Sequence, residues 1–151
     1  MMLEIRPYQD EDFQSLCAIF IAAIKEVASQ HYSPRQVVAW AQVDEVRWQN
    51  KLANSQVLVA VMNNRPVGFL AAQENYIDLL FVAPEFTRQG IARSLLMELF
   101  KLRPDGVFSV DASITARPLF EGLGFAVIQK QNVESRGVTF INYHMVRQLA
   151  P

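Results

Sequence analysis

An α/β fold, a mixed sheet with helices on both faces, is what this sequence predicts, and three observations carry the expectation. Three apolar strand-like runs follow one another, "QVLVAVM", "VGFLAAQ" and "YIDLLFV". Apolar residues at helical spacing, Ile91, Leu95, Leu99 and Leu102, come directly after the third run. A further strand, "VFSVDAS", and a short helical stretch then precede two closing strands. Hairpins combined with two strand-to-helix crossovers require a sheet of mixed direction, covered on both sides.

In chain order, "LEIRPY" reads as a first short strand. From Phe13, apolar positions at Leu16, Cys17, Phe20, Ile24 and Val27 trace one face of a helix. In "HYSPRQVVAWA", Ser33 suits a helix N-cap and Pro34 the first-turn position. Another helix is expected around Val46 to Leu52. "NNRP" has turn composition between the first two sheet strands. The helix after "YIDLLFV" stops at "RPDG", and the short one begins near Thr115 and closes at Gly124. "FAVIQKQ" and "VTFINYHMV" are expected as strands joined by a "NVESRG" loop. The predicted order is β-α-α-β-β-β-α-β-α-β-β.

Bulk properties narrow the function classes. A length of 151 residues, with no repeat, low-complexity tract or Gly/Ser linker, predicts one domain over 1–151. Hydrophobic residues at 51% against 19% charged mark a globular chain. A formal net charge of −1 argues against a nucleic-acid-binding or anionic-lipid-binding surface. No apolar run approaches the roughly 18–20 residues that span a bilayer, and "MMLEIRPYQDEDF" lacks the pattern of a secretory signal. Cys17 is the single cysteine, which excludes an internal disulfide and a thiolate metal cluster. A cytoplasmic, soluble, metal-free protein is expected.

Function is most legible in "FVAPEFTRQGIARSLL", Phe81 to Leu96. A helix start leaves backbone N–H groups unpaired and partly positive. Thr87 could cap them, which would make this an ordinary connection. Gly90, however, permits a close approach or a positive φ, Ala92 is small, and Arg88 and Arg93 add positive charge where a helix prefers acids. An anion at that helix start would reconcile these features. "TRQGIA" matches neither the phosphate loop of nucleoside triphosphatases nor the three-glycine dinucleotide fingerprint.

The spacing V-x-P-x-x-[QR]-x-x-G-x-[GA] in "VAPEFTRQGIA" resembles the coenzyme A motif of the GNAT superfamily of N-acetyltransferases, with Thr87 where the long polar side chain usually stands. "DASITARPLFEGLGF" is similar to that family's second motif. The resemblance covers essentially the whole chain. It implies the GNAT fold, with a central mixed, mostly antiparallel sheet of about six to seven strands. It also implies acetyl-CoA as co-substrate, held where "YIDLLFV" and "VFSVDAS" splay apart. Leu80, Phe81 and Val82 would lie along the pantetheine arm, paired through backbone groups. The pyrophosphate would rest on the N–H groups of Arg88, Gln89, Gly90, Ile91 and Ala92, with Thr87 and Arg93 beside it. Ser113 and Phe120 would approach from the other side.

The implied reaction is direct attack by a primary amine, of a small molecule or a peptide, on the thioester carbonyl. It needs a base for the ammonium, an oxyanion stabiliser and a proton for the leaving sulfur. Many family members place a Tyr on the short helix for the last task. Phe120 stands at that position, so Tyr143 or Tyr76 would supply the proton, or the thiolate would leave unassisted, as a thiol of pKa about 8.5 can. For the base, Asp78 is the first candidate because strand alternation would put it on the face of Leu80 and Val82. His31, between the first two helices, is the second, and Glu134 and His144 follow. Trp40 and Trp48 read as core residues. A non-catalytic acyl-CoA-binding sensor or interaction module is the alternative reading. No metal, nucleic-acid or membrane partner is expected, and the chain should act as a monomer or homodimer.

Overall fold

The computed structural model describes residues 2–147. Strand β1 (Glu4–Pro7) leads into helices α1 (Phe13–Glu26), α2 (Pro34–Trp40) and α3 (Glu45–Ala53). Strands β2 (Gln56–Met62), β3 (Arg65–Gln73) and β4 (Tyr76–Val82) follow. Helix α4 (Ile91–Leu102), β5 (Phe108–Ser113), α5 (Arg117–Gly122), β6 (Phe125–Ser135) and β7 (Val138–Arg147) complete the described chain. Three helices therefore separate β1 from β2, at the three places where helices are expected, one more than the predicted element order holds. The sheet has seven strands in the order β1-β2-β3-β4-β5-β7-β6. Only β4 and β5 run parallel; the other neighbours are antiparallel.

Local chemistry explains the element ends. Ser33 Oγ accepts from Gln36 N at 3.2 Å while Gln36 reaches back to the Ser33 N–H at 2.7 Å, a reciprocal cap that starts α2 at Pro34. Asn63 and Asn64, with φ of 53° and 62°, make the two-residue turn from β2 to β3. Arg136 and Gly137, with φ of 49° and 74°, do the same between β6 and β7. That second turn corrects the expected "NVESRG" loop. Residues Asn132 to Ser135 continue β6 and pair with Ile141 to Val138, because a tight turn keeps the hairpin in register to its tip.

The two sheet faces carry separate cores. Helices α1, α2 and α3 cover one face, where Leu16, Ile24, Trp48 and Phe69 are buried. Helices α4 and α5 cover the other, where Leu95, Leu96, Leu99, Phe108 and Met145 are buried. Each buried leucine there contributes about 2 kcal/mol. Gly68 on β3 lets α4 sit close: a Cβ there would lie 3.1 Å from both Ile91 Cγ2 and the Phe81 carbonyl. This fixes the start of α4 beside β4.

The β4–β5 pairing spans only Tyr76 opposite Ser109 and Ile77 opposite Val110. Beyond it the strands part. On the β3 side, Ala72 faces Ile77 and Ala71 faces Leu79, so Asp78 is an extra, bulged residue. A bulge bends its strand and shifts side-chain alternation. Leu79 and Phe81 consequently pack with the α1–α2 core, while Ile77, Leu80 and Val82 pack with the α4–α5 core.

Candidate active site

The loop into α4 is built around left-handed backbone. Arg88 has φ +63° and Gly90 φ +77°, and α4 starts with no side-chain cap and no acidic residue in its first turn. Thr87 is not the cap: its Oγ1 donates to the Pro84 carbonyl at 3.1 Å and is held within the preceding turn. No protein atom lies within 4 Å of a Cβ built on Gly90, so glycine is needed there for its φ and not for room. The uncapped helix start, flanked by Thr87, Arg88, Gly90, Ala92 and Arg93, lines a cavity of about 400 Å³. N–H groups without partners at a positive helix end, beside two arginines, suit a pyrophosphate.

The cavity continues along the parted strands. Leu80, Phe81 and Val82 line it from β4, Ile91 from α4, and Ser113 from the end of β5. Ser113 Oγ accepts from Ala116 N at 3.1 Å, which fixes the side chain at the base of α5. A second cavity, of about 320 Å³, shares Trp40, Leu80, Phe81, Ser113 and Ala116 with the first. The two therefore adjoin at the splay and share these walls. Gln89 belongs to the loop without lining either cavity in the described side chains.

Aromatic rings and carboxylates frame the second cavity. Phe20, Tyr32 and Trp40 come from the α1–α2 side, Phe140 from β7 and Phe120 from α5. Trp48 is a core residue, whereas Trp40 is only half-buried and borders both cavities. Phe120 is fully buried, 5.0 Å from the Phe125 ring, and presents only carbon. Tyr32 was not expected as a site residue. Its hydroxyl donates to the Ile141 carbonyl at 2.8 Å and accepts from Ile114 N at 2.9 Å, tying β5 to β7; burial raises its pKa. Its sequence position, between two helices, holds no signal of a bond to residues so distant.

Asp78 and Asp111 stand at the polar end. The expected placement of Asp78 is corrected: the bulge removes it from the face of Leu80 and Val82, and its carboxylate pairs with Lys51 Nζ of α3 at 3.1 Å. Asp111, also unanticipated, collects three donors or partners. Tyr76 OH lies 2.9 Å from Oδ2, Gln131 Nε2 3.1 Å from Oδ1, and His144 Nδ1 2.9 Å from Oδ1. Burial, then the Asp111 carboxylate, pushes the Tyr76 phenol far above its ordinary range. The alternation in "VFSVDAS", with Asp111 between buried Val110 and Ala112, was the available signal for its orientation.

The remaining candidates lie apart. His31 Nδ1 is 2.9 Å from Thr115 Oγ1, which lines the cavity at the start of α4, and is not at the carboxylates. Tyr143 packs with the α4–α5 core, its ring 4.5 Å under the Arg117 guanidinium. Glu134 is exposed near the tip of the β6–β7 hairpin, opposite Thr139.

Comparison with known proteins agrees with this architecture. The acetyltransferase (GNAT) domain family matches residues 28–147. YafP of Escherichia coli (strain K12), described as an uncharacterized N-acetyltransferase, is 56% identical over 143 residues, 95% of this chain and 94% of its own. The crystal structure of a GCN5-related N-acetyltransferase from Rhodopseudomonas palustris superposes with TM-score 0.92 at 31% identity, covering 99% of each chain. PaiA N-acetyltransferase from Thermoplasma acidophilum, solved in complex with coenzyme A, shares the fold at TM-score 0.79 and 18% identity, over 99% of this chain and 100% of that one. A match of this extent, on a splayed sheet with an uncapped helix start at the splay, makes the chain a member of the GNAT family of acetyl-CoA-dependent N-acetyltransferases.

Proposed function

We propose that this protein moves the acetyl group of acetyl-CoA to a primary amine of a small molecule or peptide by direct attack. The observation that carries the reading is that two cavities with shared walls adjoin at the β4–β5 splay. One offers free helix N–H groups and two arginines to an anion; the other offers aromatic walls and carboxylates to an amine. The coenzyme A bound by PaiA supports the first assignment.

Acetyl-CoA supplies an activated thioester carbonyl. The chain's residues do the rest. Leu80, Phe81 and Val82 give the pantetheine arm an unpaired strand edge, and Arg88 to Ala92 hold the pyrophosphate, with Thr87, Arg93, Ser113 and Phe120 alongside. Phe20, Tyr32 and Trp40 cover the reacting end and exclude water from it. Phe120 has no proton to give, the Tyr32 hydroxyl donates to Ile141, that of Tyr76 donates to Asp111, and Tyr143 lines neither cavity. The sulfur therefore leaves as thiolate, as a thiol of pKa about 8.5 can. We propose that residues 1–151 act as one domain, in the cytoplasm, as a monomer or homodimer, without metal, nucleic acid or membrane.

Release of free thiol from acetyl-CoA across a panel of small amines and lysine peptides tests the reading. Amine-dependent release above the hydrolysis background is expected with at least one acceptor. Phe120, apolar at the family's acid position, is the observation favouring the second reading, an acyl-CoA sensor. A sensor would bind acetyl-CoA and release no thiol with any amine.

A further inference from the structure

We propose that His144, oriented by Asp111, is the residue that takes the proton from the acceptor's ammonium group. The inference rests on the transferase reading above and assigns the base within it. Asp111 lines the acceptor cavity, and His144, directly opposed to it across β5 and β7, shares its sheet face at that cavity's edge. Asn142, two residues before His144 and on that same face, lines the cavity together with Asp111.

The hydrogen bonds decide the tautomer. Asp111 already receives the Tyr76 hydroxyl on Oδ2 and the Gln131 amide on Oδ1, and Gln131 also donates to Asn142 Oδ1 at 2.9 Å. A carboxylate supplied with donors is an acceptor, so the ring nitrogen 2.9 Å from Oδ1 must present its N–H. The neutral imidazole then carries its lone pair on Nε2, where a proton can be taken. An aspartate that fixes a histidine in this way also stabilises the imidazolium once it forms.

Asp78 is worse placed for the task. Its carboxylate already has Lys51 as a partner at 3.1 Å, and taking a proton would dissolve that ion pair. His144 is 36% exposed, enough to pass a proton on to water. The titratable groups that the hydrogen bonds place against it are Asp111 and, through Asp111, Tyr76; Asp78, which also acts on Tyr76, is paired with Lys51.

The step balances simply. One ammonium proton goes to Nε2, giving a neutral amine and an imidazolium. The amine nitrogen forms the C–N bond, and the C–S bond breaks with its electron pair on sulfur. The second nitrogen proton ends on the thiolate, and the imidazolium returns its proton to solvent.

The test is the pH dependence of kcat/KM, with the amine that the wild-type protein uses best, for His144→Gln, Asp111→Asn and Asp78→Asn. General-base removal of this kind lowers turnover roughly 100-fold or more. His144→Gln is expected to fall by that much and to lose the acid limb, with coenzyme A affinity unchanged. Asp111→Asn is expected to lose at least about tenfold through the wrong tautomer, and Asp78→Asn to keep the acid limb. Turnover of His144→Ala should rise with added imidazole, a rescue that a merely structural histidine would not show. Retention of the acid limb in His144→Gln, its loss in Asp78→Asn, or absence of imidazole rescue overturns the assignment while leaving the transferase reading intact. A wild-type protein that releases thiol with no amine overturns both.

Discussion

Replacing Gly90 by alanine tests the anion cradle at its most specific point. The residue sits at φ +77°, and the space where a Cβ would project is open to 4 Å, so steric collision contributes nothing. What remains is the cost of holding an L-residue in left-handed backbone, about 1–2 kcal/mol. If the loop keeps its shape, that cost appears as lost stability, a fall in Tm of roughly 2–8 °C for a chain of this size. If the loop relaxes instead, the helix N–H groups lose their alignment and coenzyme A affinity falls roughly 5–30-fold for the same energy. Asparagine tolerates left-handed backbone better than alanine and should give a smaller loss on both readouts. Trp40 borders both cavities, so its fluorescence offers a direct titration, with thermal unfolding run alongside. An alanine variant with unchanged Tm and unchanged coenzyme A affinity would refute the claim that the left-handed turn builds the cradle.

Three further outcomes follow from the same geometry. Tyr32→Phe strands the Ile114 N–H and the Ile141 carbonyl, at about 1–3 kcal/mol, so thermal unfolding should shift down by roughly 2–12 °C and the acceptor KM should rise. The buried Asp12 carboxylate is bound by both Arg6 guanidinium nitrogens, at 2.8 and 2.9 Å, and this bond holds its pKa below the ordinary range. A lowered folded pKa means its stabilisation is complete above about pH 4 and fades as pH falls through the folded value. Urea unfolding of Asp12→Asn should show roughly 2–4 kcal/mol less stability at neutral pH and a shallower acid decline. Cys17 is buried and its thiol is pushed up to about 11, chiefly by that burial. A thiol reagent at pH 8 should therefore label it far more slowly in native protein than in urea, and equal rates would contradict the packing of α1.

Local rules made much of the fold legible. Ser33, Pro34 and Gln36 start α2 through bonds within four residues of chain, and Asn63–Asn64 turn the first hairpin by backbone preference alone. The hairpin of β6 and β7 is longer than its sequence suggests, because "NVES" carries weak strand propensity and its pairing depends on the Arg136–Gly137 turn beyond it. The segment proposed to hold coenzyme A can be picked out in the sequence for a similar reason. It is contiguous, and the proposal rests on backbone groups whose exposure follows from Gly90 and the lack of a cap.

The acceptor end was not legible, because it is assembled across strands. Alternation along β4 predicted the face of Asp78 correctly only for an unbroken strand, and a single bulged residue turned it toward Lys51. Asp111, His144 and Tyr76 meet through strand pairing between residues 33 and 35 positions apart, which no local spacing encodes. The amino-acid sequence by itself determined where the helices start, the left-handed turn before α4 and the donor motif, since each depends on neighbours along the chain. Tertiary structure alone decided where β4 and β5 part, which carboxylate has a cation beside it, and which histidine lies against a carboxylate. Those are properties of register, and register is set by the packing of both sheet faces at once.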